Sequence, residues 1–309
     1  MKVNIVLSTY NGEQFLAQQI ESIQAQTFTD WNLLIRDDGS TDGTTDVIRQ
    51  FMAKDERIRW INEEHIENLG VIKSFHALVQ YEEADVYFFS DQDDIWLPEK
   101  LQLALDEADL YLPEVPLMIY TDLKVVDQNL QVVQESMIRS QSDHANTELV
   151  EELTENTVTG GVSMVNHALV QLWNETDAIL MHDWYLALLA SAFGKLVYID
   201  VATELYRQHG NNVLGARTWS KRMYKWLRPH LLFSMYWELI KGSQAQASHL
   251  LALPLTKEKK ELVQAFVTIM EKPMLERYKI LKKYGLRKNK RFHTLVFTIL
   301  IVTKFAYKE

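Results

Sequence analysis

The chain has no cysteine, which excludes a disulfide framework, thiolate-bound zinc and a cysteine nucleophile, and fits a reducing compartment. Long apolar runs are missing too. The stretch Leu295 to Val302, broken only by Thr298, spans eight residues, far short of the ~20 that cross a bilayer as a helix. The opening Met1-Lys2-Val3-Asn4-Ile5-Val6-Leu7 turns polar too soon for a signal peptide and reads as a first strand. No internal repeat or low-complexity tract is present. A cytoplasmic protein is therefore expected. The 309 residues suffice for one large domain or two smaller ones, and 47% apolar with 24% charged residues is an ordinary globular balance.

The net charge of −10 hides a split. From Arg217 onward there are 20 Lys and Arg against 6 Asp and Glu, a net of +14. Residues 1–216 hold 12 basic and 36 acidic residues, a net of −24. An acidic body and a basic tail drawn to an anionic surface are two different functions. Two regions are expected accordingly, 1–216 and 217–309.

Through the first hundred residues, strand and helix patterns alternate. Strands are expected over 3–8, 31–36, 58–62 and 86–90, and helices over 13–24, 45–54, 70–81 and 98–110. That alternation predicts an α/β fold with a mostly parallel, Rossmann-like sheet flanked by helices. Farther on, 117–122 reads as a strand and 124–134 as a hairpin around Gln128-Asn129. The stretch 148–156 leads into a loop at Thr159-Gly160-Gly161. Helices are expected over 164–173 and 183–193, then a strand over 195–201.

The chemistry concentrates where Val86-Tyr87-Phe88-Phe89-Ser90 stops in Asp91-Gln92-Asp93-Asp94. Four consecutive large apolar residues read as a strand buried on both faces. Its carboxyl end is where open α/β sheets place ligands. Two carboxylates in an Asp-x-Asp triplet suit one hard divalent cation, Mg²⁺ or Mn²⁺, which can in turn hold a diphosphate. An acidic turn leading to the helix at Pro98 is the plainer alternative.

Two further strand-end motifs join this cluster: Ser8-Thr9-Tyr10-Asn11-Gly12 and Asp37-Asp38-Gly39-Ser40-Thr41-Asp42. In order and spacing the three together resemble the family 2 glycosyltransferases, inverting enzymes of the GT-A fold, over roughly residues 1–215. Asn68-Leu69-Gly70 with Lys73, Thr159-Gly160-Gly161, His182-Asp183-Trp184 and Tyr206-Arg207-Gln208-His209-Gly210-Asn211-Asn212 agree with it. The variants 90–96 and 206–212 are most similar to bacterial rhamnosyltransferases of cell-surface polysaccharides, of the streptococcal rhamnan type.

The resemblance implies roles residue by residue. Thr9, Tyr10 and Asn11 belong to a loop over the nucleotide base. Asp38, with Asp37 beside it, offers an acceptor to a pyrimidine N3–H, while also suiting a plain turn. Asn68, Gly70 and Lys73 approach the donor's sugar and diphosphate, although Lys73 reads equally as a solvated helix residue. Asp91 and Asp93 are metal ligands, with Gln92 in the donor site. His209 is a third ligand, a diphosphate contact or a loop hydrogen-bonder. Arg207 contacts phosphate or pairs with an acid. Asp183 is the implied catalytic base, or the N-cap of its helix. His182, Trp184, Gly160 and Gly161 line the acceptor side, with Trp184-Tyr185 as a sugar platform.

The implied donor is dTDP-β-L-rhamnose, with a UDP-hexose or UDP-N-acetylhexosamine as the alternative. The implied acceptor is a lipid-linked saccharide. The membrane spans and Gln-x-x-Arg-Trp motif of processive synthases are absent, so transfer of one or a few residues is expected. A nucleotidyltransferase would need a Gly-rich loop followed by Arg and Lys, which this chain lacks, and a non-catalytic nucleotide-binding scaffold would not require Asp91, Asp93 and Asp183.

In the tail, the stretch 219–240 mixes Lys221, Arg222, Lys225 and Arg228 with Trp226, Leu231, Leu232, Phe233, Tyr236 and Trp237. Leu281 to Arg291 is dense in Lys and Arg just before the apolar Leu295 to Val302. Such helices suit the inner face of an anionic membrane or, alternatively, a solvated bundle or a homo-oligomer contact. No nucleic-acid recognition motif accompanies them, so no nucleic-acid partner is expected.

Overall fold

The computed structural model describes residues 1–142, 144–209 and 229–307. The first part runs β1 (Val3–Thr9), α1 (Leu16–Gln24), β2 (Trp31–Asp37), α2 (Thr44–Met52), β3 (Ile58–Trp60), α3 (Val71–Tyr81) and β4 (Val86–Ser90). Next come β5 (Ile95–Trp96), α4 (Lys100–Ala108), β6 (Leu117–Val126), β7 (Val132–Gln134), α5 (Met137–Gln141) and α6 (Leu149–Glu152). A 3₁₀ turn at Gly160–Val162 leads into β8 (Ser163–Asn166), α7 (His167–Val170), α8 (His182–Phe193) and β9 (Lys195–Arg207). The last four helices are α9 (Pro229–His249), α10 (Lys257–Val267), α11 (Met274–Tyr284) and α12 (Arg291–Thr303).

The strands form one sheet in the order β3-β2-β1-β4-β8-β6-β9-β5, with β7 beside β6. β3, β2, β1 and β4 are parallel. The chain leaves β1 toward β2 and β3, then returns to place β4 on the other flank of β1. That reversal opens a crevice beyond the carboxyl ends of β1 and β4. Register brings the loops together, since Thr9 lies opposite Asp37 and Leu7 opposite Ser90.

The other half of the sheet is mixed. β8 runs antiparallel to both β4 and β6, and β6 runs parallel to β9. Ser163–Asn166 is thus a strand where the apolar spacing predicts the start of a helix. All four of its residues are buried. A short apolar run fits either state, and here the place between β4 and β6 decides. The Asn166 side chain ends the strand by accepting from Leu117 N (2.9 Å) and Leu169 N (3.1 Å), capping α7. β9 continues to Arg207, beyond the strand expected over 195–201. Its far end pairs with β5 through Leu205 and Glu204, carrying Arg207 to the acidic loop.

Alternate strand residues feed two apolar layers. Ile5, Leu7, Leu33 and Ile35 face α1, α2 and α4, whereas Val6, Leu34 and Phe89 face α3 and α8. The second layer continues into the C-terminal helices through Trp237, Ile240, Phe266 and Phe297. Among the residues expected to form an interfacial helix, Trp237 is buried instead, its indole N–H donating to Phe305 O at 2.9 Å. Trp219, Lys221, Arg222, Lys225, Trp226 and Arg228 lie outside the described residues, as do the side chains of Leu231 and Leu232 and residues Gly210, Asn211 and Asn212. Among the described residues no helix is long and apolar enough to cross a membrane.

Candidate active site

The loop after β1 is held by the side chains around it. Gln92 Oε1 accepts from Thr9 Oγ1 (2.6 Å) and Tyr10 N (2.9 Å), and its amide donates to Tyr10 O (3.0 Å). Asn11 links the same loop to the one after β2. Its backbone N donates to Ser40 Oγ at 2.8 Å, and its Oδ1 accepts from Thr41 N at 2.8 Å. Tyr10 stands 51% exposed at the rim.

Asp37 and Asp38 are both buried and have different partners. Asp37 builds its own turn, accepting from Gly39 N (3.1 Å) and Ser40 N (2.9 Å). Asp38 pairs with Arg36 at 2.6 Å and accepts from Ser74 Oγ, Leu69 N and Gly70 N. It thereby holds the entry to α3, where Gly70 has φ +78° and Asn68 donates to Asp38 O. Lys73, one turn into α3, points to solvent and pairs with Asp177 at 3.0 Å.

The acidic loop gathers more negative charge than its neighbours neutralise. Burial, reinforced by Asp93, Glu204 and Asp183, pushes Asp91 up to about 8 against the pull of Lys100. Burial likewise raises Asp94, helped by Glu204, Asp93 and Asp91. Asp94 Oδ1 accepts from Arg207 N at 2.8 Å, while buried Oδ2 has no partner. Asp93 Oδ2 meets His209 Nε2 at 2.7 Å, and the His209 ring packs 4.7 Å from Phe15. Arg207 braces the loop from behind: Nε donates to Asp93 O (2.9 Å) and Nη2 to Gln18 Oε1 (2.7 Å).

This donor set fits a hard cation. Asp91 and Asp93 are partly open carboxylates, and the cluster is short of positive charge. Among the described residues no group of three or more Asp, Glu, His or Cys converges to enclose an ion. Two carboxylates with the remaining positions left to water and phosphate is the usual arrangement for Mg²⁺.

Asp183 lies in the first turn of α8, one residue past its start at His182, and is 8% exposed; the N-cap is Met181 and not Asp183, because the helix already begins before it. Burial pushes its pKa up to about 7, although the backbone N–H groups of Trp184 and Gly160 favour its charged form. Asn156 Nδ2 lies 3.4 Å from its Oδ1. Its charge is among those raising Asp91, so the two carboxylates share one field. The Gly160–Val162 turn must be tight: a Cβ at Gly160 would lie 2.8 Å from His182 Nε2. A Cβ at Gly161 would lie 2.8 Å from Glu204 Oε1.

The residues flanking Asp183 do not form the sugar platform expected of them. Trp184 is 7% exposed and Tyr185 1%, and the Trp184 indole donates to Glu152 O at 2.7 Å. His182 is packed 4.4 Å from Phe75 and 5.1 Å from Phe89, both ring nitrogens lacking a partner. Burial lowers its pKa to about 3, so it stays neutral. The reason is α8 itself, whose residues His182–Ala192 are all buried. A helix apolar on nearly every side runs through a core, so Trp184 and Tyr185 are taken into packing and only its first turn, at Asp183, borders the acidic loop.

One feature of the site carries no sequence signal. Lys100, at the start of α4, is 2% exposed, pairs with fully buried Glu204 at 2.6 Å and donates to Gly161 O. Its ammonium also lies 4.0 Å from the Trp96 ring. A lone lysine after a helix-starting proline looks solvated in sequence. Here it joins the acidic loop, β9 and the glycine turn beside Asp183.

A sheet whose parallel half reverses its strand order, with an acidic loop at the crevice so formed, is the setting in which open α/β folds bind ligands. The chain belongs to glycosyl transferase family 2, whose profile matches residues 4–169. It is similar to the dTDP-rhamnosyl transferase RfbG of Shigella flexneri, 29% identical over 232 residues, covering 71% of this chain and 77% of the relative. It is also 28% identical over 127 residues to the UDP-Glc:alpha-D-GlcNAc-diphosphoundecaprenol beta-1,3-glucosyltransferase WfgD of Escherichia coli, covering 41% of this chain and 47% of the relative. In structure it is similar to S. aureus TarS 1-349 in complex with UDP-GlcNAc, with a TM-score of 0.61 at 16% identity, covering 99% of this chain and 83% of that one. The mannosyltransferase PcManGT of Pyrobaculum calidifontis, with GDP-Man and Mn²⁺, has a TM-score of 0.54 at 13% identity, covering 92% and 72%. These likenesses establish a glycosyltransferase with the GT-A fold.

Proposed function

We propose that the chain is an inverting, metal-dependent transferase moving L-rhamnose from dTDP-β-L-rhamnose to a lipid-linked saccharide at the inner face of the membrane. The observation that carries this reading is Asp183, a buried carboxylate held near neutrality within the field of the acidic loop. A group with pKa about 7 is matched to accepting a hydroxyl proton at physiological pH. The acceptor hydroxyl attacks the anomeric carbon opposite the departing nucleotide and passes its proton to a carboxylate oxygen of Asp183, giving an α-L-rhamnoside. The backbone N–H groups of Trp184 and Gly160 keep that carboxylate oriented. Tyr10 and the Asn11-braced loop receive the base. Asp91 and Asp93, with His209 beside Asp93, would hold a Mg²⁺ or Mn²⁺ ion, which supplies Lewis-acid stabilisation of the leaving diphosphate.

The rhamnose assignment draws on the likeness to RfbG, and the UDP-hexose alternative on those to WfgD and TarS. A panel of dTDP-rhamnose, UDP-glucose, UDP-GlcNAc and GDP-mannose with Mn²⁺ and a lipid-linked acceptor decides between them. Turnover of dTDP-rhamnose with an α-linkage by NMR is expected; preferential use of a UDP-sugar would replace the donor.

Cation binding should also depend on pH. Because burial and neighbouring acids push Asp91 up to about 8, the unliganded protein must release a proton to bind an ion at neutral pH. Mn²⁺ affinity, followed by electron paramagnetic resonance, is expected to rise by roughly tenfold per pH unit between 6.5 and 7.5 and to level off above 8. A flat profile would separate Asp91 from the ion.

A further inference from the structure

We propose that α12 lies on an anionic lipid bilayer, inserting Phe292, Leu295 and Ile299 into the headgroup boundary. These residues follow a spacing of three and four, which puts them on one face of the helix. They are 57%, 59% and 47% exposed, whereas Phe297, Leu300 and Ile301 on the opposite face are buried in the core. The helix therefore has two apolar faces, and only one is covered by the described residues.

Charge selects the occupant. From Arg277 to Tyr307 the chain holds nine Lys and Arg and no acidic residue. Arg277 and Lys288 turn inward, Arg277 donating to Val302 O, while Lys282, Lys283, Arg287 and Arg291 are exposed, Arg291 four residues before Leu295 on the same helix face. Apolar residues flanked by cations suit the interface of an anionic membrane. A second copy docked through this face would oppose cation to cation, an arrangement that disfavours association.

The face is fixed relative to the catalytic side. The connection between α11 and α12 is fastened to the segment before the glycine turn. Asn289 N donates to Glu155 Oε2 (2.7 Å), Asn289 Nδ2 to Ser142 Oγ (2.6 Å) and Thr154 Oγ1 to Arg287 O (2.5 Å). Asn156, next along that segment, reaches Asp183. A docked α12 thus holds the acceptor side at a set height above the lipid. The docking rests on these residues alone, while its purpose rests on the lipid-linked acceptor proposed above.

Flotation of the full chain with vesicles of phosphatidylcholine alone, or with 40% phosphatidylglycerol, tests the proposal. Binding to the anionic vesicles is expected to exceed binding to the neutral ones by roughly tenfold at low salt and to fall at 0.5 M salt. Leu295→Glu/Ile299→Glu should abolish it with no loss of melting temperature, because both positions are exposed. As a second measurement, Phe292→Trp should show a blue-shifted emission on adding anionic vesicles. Equal binding of the double variant, or no anionic preference, would overturn the proposal. So would a concentration-dependent dimer that Leu295→Glu/Ile299→Glu dissolves, which would assign the face to a second copy. Vesicle binding with no sugar transfer in the donor panel would uphold this surface and reject the donor and acceptor proposed above.

Discussion

Asp183→Asn is expected to lower kcat by about 10²–10⁴ while leaving nucleotide binding within a few-fold of the unaltered protein. The amide keeps an oxygen for the N–H groups of Trp184 and Gly160, so the start of α8 is preserved. What is lost is the proton acceptor. In the unaltered enzyme kcat/KM should climb with pH and flatten above about 7, where Asp183 is ionised. The variant should lose that limb. Stability should move the opposite way. A carboxylate whose folded pKa lies above its unfolded value retains its proton in the native state, so its ionisation destabilises the fold progressively between about pH 4 and 7. Asp183→Asn removes this penalty, by up to ~4 kcal/mol at pH 8 and little at pH 4. Thermal melts at the two pH values, beside single-turnover kinetics, check both halves. Transfer at an unaltered rate would end the assignment of Asp183 as base.

Lys100→Met carries the largest expected loss of stability. It leaves Glu204, with no exposed surface, without its cation and beside Asp91 and Asp94. Removing one partner of a buried ion pair costs about 3–5 kcal/mol. Gly161 O also loses its donor, loosening the turn that aims Gly160 N–H at Asp183. Removing both charges in Lys100→Met/Glu204→Leu should restore most of the stability, because no uncompensated charge then remains. Urea unfolding of the two variants measures the difference. A single variant as stable as the unaltered chain would show that the pair is not needed for the fold.

How legible each part was depends on the range of the interactions that shape it. β1 to β4 and their helices follow from local spacing, because each strand–helix unit buries its own stripe. β8 did not, since Ser163–Asn166 is a strand only by virtue of β4 and β6 on either side. The same contrast holds in the site. Asp91 and Asp93 stand out by their place after an apolar strand. Lys100 and Glu204 have no such mark, being 104 residues apart and joined only by β5 pairing with β9. Asp38 was legible as an acid at a strand end, but not as the partner of Arg36 and the anchor of α3. Trp184 illustrates the reverse error: an aromatic beside a reactive acid suggests a sugar contact, yet a helix buried all round turns it into the core.

The sequence by itself determined the family, the parallel half of the sheet and the acidic loop at its reversal, because those depend on residue type and short spacing. Tertiary structure alone decided which carboxylates share a field, which aromatics stay out of reach of a ligand, and which face of α12 is left uncovered. Burial and charge coupling belong to neighbours in space, and the chain brings those neighbours together only when it folds.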